Sequence, residues 1–104
     1  MTDQTTDRRA VSFDVQDTDE NRPLISAVEA DNPEVVISRI PGVVKLRAPG
    51  RLVINRDTVE ARLGRSWETH EFQMAIVTLT GNVSTWDDDH IVISWGPRHE
   101  EEED

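Results

Sequence analysis

The chain has 104 residues, 21 acidic against 11 basic side chains for a formal net charge of −10, and no cysteine. One domain fits this length, burying roughly 65% of the surface that the unfolded chain would expose. The charge opposes phosphate backbones and anionic lipid, so neither nucleic acid nor a membrane surface is the expected partner. The missing thiols exclude disulfides, thiolate zinc sites, iron–sulfur clusters and cysteine nucleophiles.

Charge is uneven along the chain, at −3 over residues 1–23, −3 over 24–96 and −4 over 97–104. The polar residues 1–8 are expected to be mobile. The run 100–104 (Glu-Glu-Glu-Glu-Asp) repels itself and has nothing apolar to bury, so 97–104 reads as a disordered acidic tail and 9–96 as the folded domain. The first residues lack the basic and apolar regions of a leader, and no apolar run approaches the ~20 residues of a membrane span. A cytoplasmic protein is expected.

Residues 9–16 alternate with Val11, Phe13 and Val15 on one side, as a half-buried strand does. Pro23 suits the first helical turn, where its missing N–H costs nothing, and Leu24, Ile25, Ala27 and Val28 form one apolar face. Pro33 pushes the residue before it out of helical angles, which bounds the helix at 22–31. Residues 35–37 and 43–47 are β-branched runs around the turn dipeptide Pro41-Gly42. Pro49-Gly50 then leads to a third strand, 51–55. Asp57 and Glu60 have capping-box spacing, Val59 and Leu63 share a face, and Gly64 suits the left-handed position after a short second helix.

Residues 66–72 read as a helical turn leading into a strand over 74–80. Gly81-Asn82 and Asp87-Asp88-Asp89 punctuate two more strands, 83–86 and 90–95. The order β-α-β-β followed by β-α-β-β-β predicts an α+β fold: a single small domain of two β-α-β-β-like units with mostly antiparallel sheet.

The chain is poor in catalytic constellations. His70-Glu71-Phe72-Gln73-Met74 begins like the zinc-protease helix His-Glu-x-x-His, but Met74 stands where the second ligand, one helical turn on, must be. Asp87-Asp88-Asp89-His90 lacks the alternate spacing, central glycine and distant glutamate of a calcium loop. No Glu-x-x-His pair for a di-iron centre, phosphate loop or nucleophile elbow is present. The reading is therefore of a binder with no metal and no cofactor.

Aromatic side chains dominate interface energetics, which makes Trp67, after the second helix, and Trp86, at a strand end, candidate partner anchors, with core packing the competing role. Trp95 continues the inward alternation of Ile91 and Ile93. Asp31 and Asn32 sit where a helix gives way to a strand, a rigid junction from which side chains can offer hydrogen bonds to a facing backbone.

Asp31-Asn32-Pro33 after the first helix, Gly50 before the third strand, Thr58, Glu60, Leu63, Gly64 and Arg65 in and after the second helix, and Gly81 together resemble the effector, or coupling, proteins of soluble di-iron monooxygenases acting on phenol, toluene, alkenes and methane. The resemblance runs from about Leu24 to Trp95. The chain departs from the family pattern at Glu34, where glycine is frequent, and at Val11-Ser12, where Val-Gly is frequent.

The resemblance implies paired β-α-β-β units and a cofactor-free regulatory component that is not itself an enzyme. Its implied partner is the hydroxylase component, bound above the di-iron centre, with ferredoxin and reductase components alongside. It also implies a partner-facing role for the Asp31–Asn32 corner. The free protein is expected to be a monomer. The other class that the charge supports is an acidic inhibitor or antitoxin-like module covering a basic site.

Overall fold

The computed structural model describes residues 9–95. The chain runs β1 (Ala10–Gln16), a 3-10 turn (Asp19–Asn21), α1 (Arg22–Asp31), β2 (Val36–Ile40), β3 (Val43–Pro49), β4 (Arg51–Asn55), α2 (Arg56–Leu63), α3 (His70–Ala75), β5 (Ile76–Thr80), β6 (Asn82–Trp86) and β7 (His90–Ser94). The expectations for residues 1–8 and 97–104 lie outside the described residues.

Two sheets form, one in the order β2-β3-β1-β5 and one in the order β4-β7-β6. Every pairing in them is antiparallel. The two β-α-β-β-like units are recognisable: β1-α1-β2-β3 builds most of the first sheet, and β4, β6 and β7 build the second. β5 leaves its own unit to pair with β1, with Leu79 opposite Phe13. That exchange binds the two units through the sheet itself.

The period-2 patterns place the core. Val11, Phe13, Val15, Val44, Leu46 and Ala48 of the first sheet are buried with Leu52, Ile54, Ile91 and Ile93 of the second. The apolar face of α1, Leu24, Ile25, Ala27 and Val28, joins the same cluster with Val59, Trp67 and Phe72. On the opposite face of β1, Asp14 takes a hydrogen bond from the Thr78 hydroxyl and pairs with Lys45 at 3.1 Å. A slip of one residue would put those groups in the core and the valines in water, so the register is strongly specified.

α1 begins and ends where its two prolines require. After it, Val35 N–H donates to Asn32 O at 2.9 Å, closing a four-residue turn with Pro33 second. No non-glycine residue among those described has positive φ. The turn therefore accepts Glu34 without strain.

Two local expectations are corrected. The Asp57/Glu60 capping box does not form: α2 begins at Arg56, its cap position is Asn55, and no side chain caps it. Glu60 is drawn instead to the far end of the helix, described below. The helical turn after α2 is longer and later than the pattern suggested, running through Met74 to Ala75 and shortening the following strand to Ile76–Thr80. Burial of Phe72 against Phe13, edge to face at 5.0 Å, anchors that helix from one side chain. A single anchor leaves little periodicity to read.

Candidate functional site

The Asp31–Asn32 junction is built from both sides. Asn32 follows α1 with only 8% of its surface exposed. Its side-chain N–H groups donate to Val28 O at 2.7 Å, inside the helix it ends, and to Val53 O at 2.8 Å. Its carboxamide oxygen accepts from Val53 N–H at 2.9 Å. Because β4 is an edge strand, this amide acts on it as one more peptide unit would, satisfying both backbone groups of Val53. The side chain thus works within the fold. Its neighbour Asp31 is half-buried, and its carboxylate accepts from the Asn55 side chain at 3.0 Å.

Glu60 organises the next corner, a role that its sequence context did not signal. Its Oε2 accepts from Trp67 N–H at 2.9 Å and from Arg56 Nε at 3.2 Å. The Trp67 amide, then the Arg56 guanidinium, hold the Glu60 carboxyl below the usual carboxylate range. Gly64 turns the chain back at φ 75°, a left-handed angle that glycine adopts freely. Trp67 is thereby seated in the core at 5% exposure.

Trp86 is different. It is 40% exposed, at the end of edge strand β6, with its ring edge-on to Phe72 at 6.2 Å. Met74 on α3 is 81% exposed, and Val77 and Val83 on the edge strands β5 and β6 are also open. Sequence patterning did not single out these three, since each lies in a short element whose exposed face becomes apparent only after β5 changes sheets. Between the β1–α1 connection, α2 and α3 lies an open groove of about 290 Å³, its floor formed by Leu24, Val59, Leu63 and Trp67 with Met74 among its lining residues.

The acidic turn is consumed by its own backbone. Asp87 Oδ1 accepts from Asp89 N–H and His90 N–H, both at 2.9 Å, which keeps its carboxyl below the usual range. Thr69 donates to Asp87 O, and Arg56 donates to Asp88 O. His70 is exposed, 3.7 Å from Glu68. Among the described residues no three potential metal ligands come together. What these residues form is a hydrogen-bonded corner around α2 and α3, with a tryptophan beneath it and another at its edge.

The domain match now decides the family. The MmoB/DmpM family model matches residues 9–94, nearly the whole described chain. The chain belongs to the MmoB/DmpM family. Within the family, it is 40% identical over 80 residues to the stimulatory component DmpM of phenol 2-monooxygenase from Pseudomonas sp. (strain CF600), a match covering 77% of this chain and 88% of that one. A chain from the structure of the phenol hydroxylase–regulatory protein complex superposes with a TM-score of 0.80 at 39% identity, covering 85% of this chain and 100% of that one.

The soluble methane monooxygenase regulatory protein B shares the fold at a TM-score of 0.69 and 18% identity, with 89% of this chain and 70% of that one covered. This MmoB/DmpM chain is thus homologous to stimulatory and regulatory components rather than to catalytic ones. The match reaches back to residue 9, so β1, with Val11-Ser12, lies inside the family domain.

Proposed function

We propose that this protein is the cofactor-free effector of a multicomponent di-iron monooxygenase, binding the hydroxylase component and setting the coupling of electron delivery to substrate oxidation. The observation that carries this is the match at TM-score 0.80 and 39% identity to a chain from a phenol hydroxylase–regulatory protein complex. A phenol-hydroxylase type of partner is the corresponding reading, with ferredoxin and reductase components supplying the electrons. The absence of cysteine accords with a cytoplasmic site of action, and among the described residues no helix is long and apolar enough to cross a membrane.

An effector can shift an enzyme only by binding one of its states better than another, and a coupling of ~1–3 kcal/mol corresponds to about 5- to 150-fold. The hydrogen-bonded corner suits this task because little ordering entropy is lost when it docks. In this reading Trp86 touches the hydroxylase and Asp31 lies at the rim. Asn32 and Trp67 shape the surface from beneath. Titration of purified hydroxylase with the protein, followed by calorimetry, should saturate near one effector per active site. Failure to bind any di-iron hydroxylase, with capture of a basic protein whose activity it blocks, would favour the inhibitor class.

A further inference from the structure

We propose that β2 is a self-pairing edge: two copies of this chain associate reversibly through it, as antiparallel strands of one continuous eight-stranded sheet. Among the described residues the two sheets have four edge strands, β2 and β5 in the first, β4 and β6 in the second. Three of them are obstructed. The Asn32 carboxamide already occupies both backbone groups of Val53 on β4. The ladders of β5 and β6 skip Val77 and Ser84, and a bulge of this kind turns an edge away from a regular partner. β2 has no such device. Its register with β3 runs unbroken from Val36 opposite Arg47 to Ile40 opposite Val43, and its other side pairs with no described strand.

The side chains of β2 match its open backbone. Val36 and Ile40 are 59% and 57% exposed, on the same face as Ser38. Val43 stands beside Ile40 across the hairpin and extends the apolar strip. The strand's one charge, Arg39, alternates to the other face and lies 3.6 Å from Asp17. An exposed edge is ordinarily defended by outward charges or by a proline within it. On a chain of charge −10, this strand has neither on its Val36–Ile40 face.

The order of these residues selects a second copy as the occupant. An antiparallel pair with a two-fold axis at Ser38 sets Val36 opposite Ile40 of the second copy and Ile40 opposite its Val36, so each exposed apolar side chain meets another. The same register sets Ile37 opposite Arg39 and brings the outward backbone groups of one strand against those of the other. A slip of one residue would turn those groups away, and a slip of two would set Val36 or Ile40 against Ser38. A contact of five residues on each strand falls below the ~1,200–2,000 Å² of stable complexes, so the dimer is weak and populated by mass action. The net charge of each copy opposes it at long range. Salt therefore strengthens it, as the screening length falls from ~30 Å at 0.01 M to ~8 Å at 0.15 M.

Sedimentation equilibrium of the full chain from about 10 μM to about 1 mM, the range of weak complexes, should show the mean mass rising toward twice that of one chain, more steeply as salt is added. Ser38→Lys sets two ammonium groups against each other at the axis. Because Ser38 is exposed, this variant should stay monomeric with an unchanged melting temperature. The absence of native cysteine allows a second check. Directly opposed positions bring Cβ atoms within ~4.5–5.5 Å, near disulfide reach. With oxidised glutathione as the oxidant, Ser38→Cys should form a disulfide-linked dimer about tenfold or more faster than Thr80→Cys on the β5 edge, since a contact already made raises the effective thiol concentration. A mass that stays at one chain across the range, association that salt weakens, or equal rates for the two cysteine variants would overturn the proposal. So would a Ser38→Lys variant that loses hydroxylase affinity while the parent chain never self-associates, which would give β2 to a strand of the hydroxylase instead.

Discussion

Asn32 makes three hydrogen bonds with one carboxamide, two of them to a strand twenty-one residues away. Asn32→Ala removes all three and strands the Val28 carbonyl and both backbone groups of Val53. The expected loss of folding stability is about 1–3 kcal/mol, read as a lower melting temperature, with hydroxylase affinity little changed once the variant is folded. Trp86 carries the opposite expectation. Trp86→Ala should cost the isolated fold the apolar area its ring covers and the edge contact with Phe72, the latter about 0.5–1.5 kcal/mol, yet weaken hydroxylase binding by ~2 kcal/mol or more as an anchor. Melts and binding titrations on both variants separate the roles. Unchanged affinity in Trp86→Ala would remove it from the interface.

Glu60 adds a pH signature at the same scale. Its carboxyl is held below its ordinary value by the Trp67 amide and Arg56, so the ionised form favours the folded state. That contribution is fully present above the unfolded carboxylate value, ~4.3, and is lost as pH falls through the lower folded value. Glu60→Gln should therefore flatten the decline of stability below about pH 4.3, measured as melting temperature against pH. An acid limb identical to that of the parent chain would contradict this.

At the scale of elements, legibility followed locality. α1 was bounded correctly at both ends because Pro23 and Pro33 act within a residue or two of themselves. β4 and the left-handed Gly64 were likewise fixed by adjacent turn chemistry. The end of α3 and the exchange of β5 were not legible, since they depend on Phe72 and Leu79 meeting Phe13, 59 and 66 residues earlier in the chain. Asn32 was legible only in part for the same reason: its amide could be seen at a helix end, but its edge-strand partner could not. Gly81 joins the two sheets at φ 129°, and a Cβ there would lie 3.0 Å from both Val11 and Ile93 side chains. Gly81→Ala should combine backbone strain with overpacking and destabilise by about 1–3 kcal/mol, visible in chemical denaturation. A neutral result would show that the two sheets can part at this joint.

Over the whole molecule, the engagement of the described polar side chains is as informative as the fold. Asp87, in the acidic turn weighed as a metal site, Asn32, at the partner-facing corner, and Glu60 are each engaged with backbone N–H or carbonyl groups of the domain itself. They build a hydrogen-bonded scaffold on which Trp86 and Met74 are exposed to solvent. A docking surface acts on an enzyme by favouring one of its conformations, and the relatives in this family are stimulatory and regulatory components of monooxygenases. The decisive measurement is product formed per NADH consumed by the reconstituted hydroxylase, ferredoxin and reductase as this protein is titrated in. The ratio should rise and level off near one effector per active site, while the protein alone forms no product. A ratio that stays flat, or activity that falls steadily from the first sub-stoichiometric addition, would contradict the effector assignment.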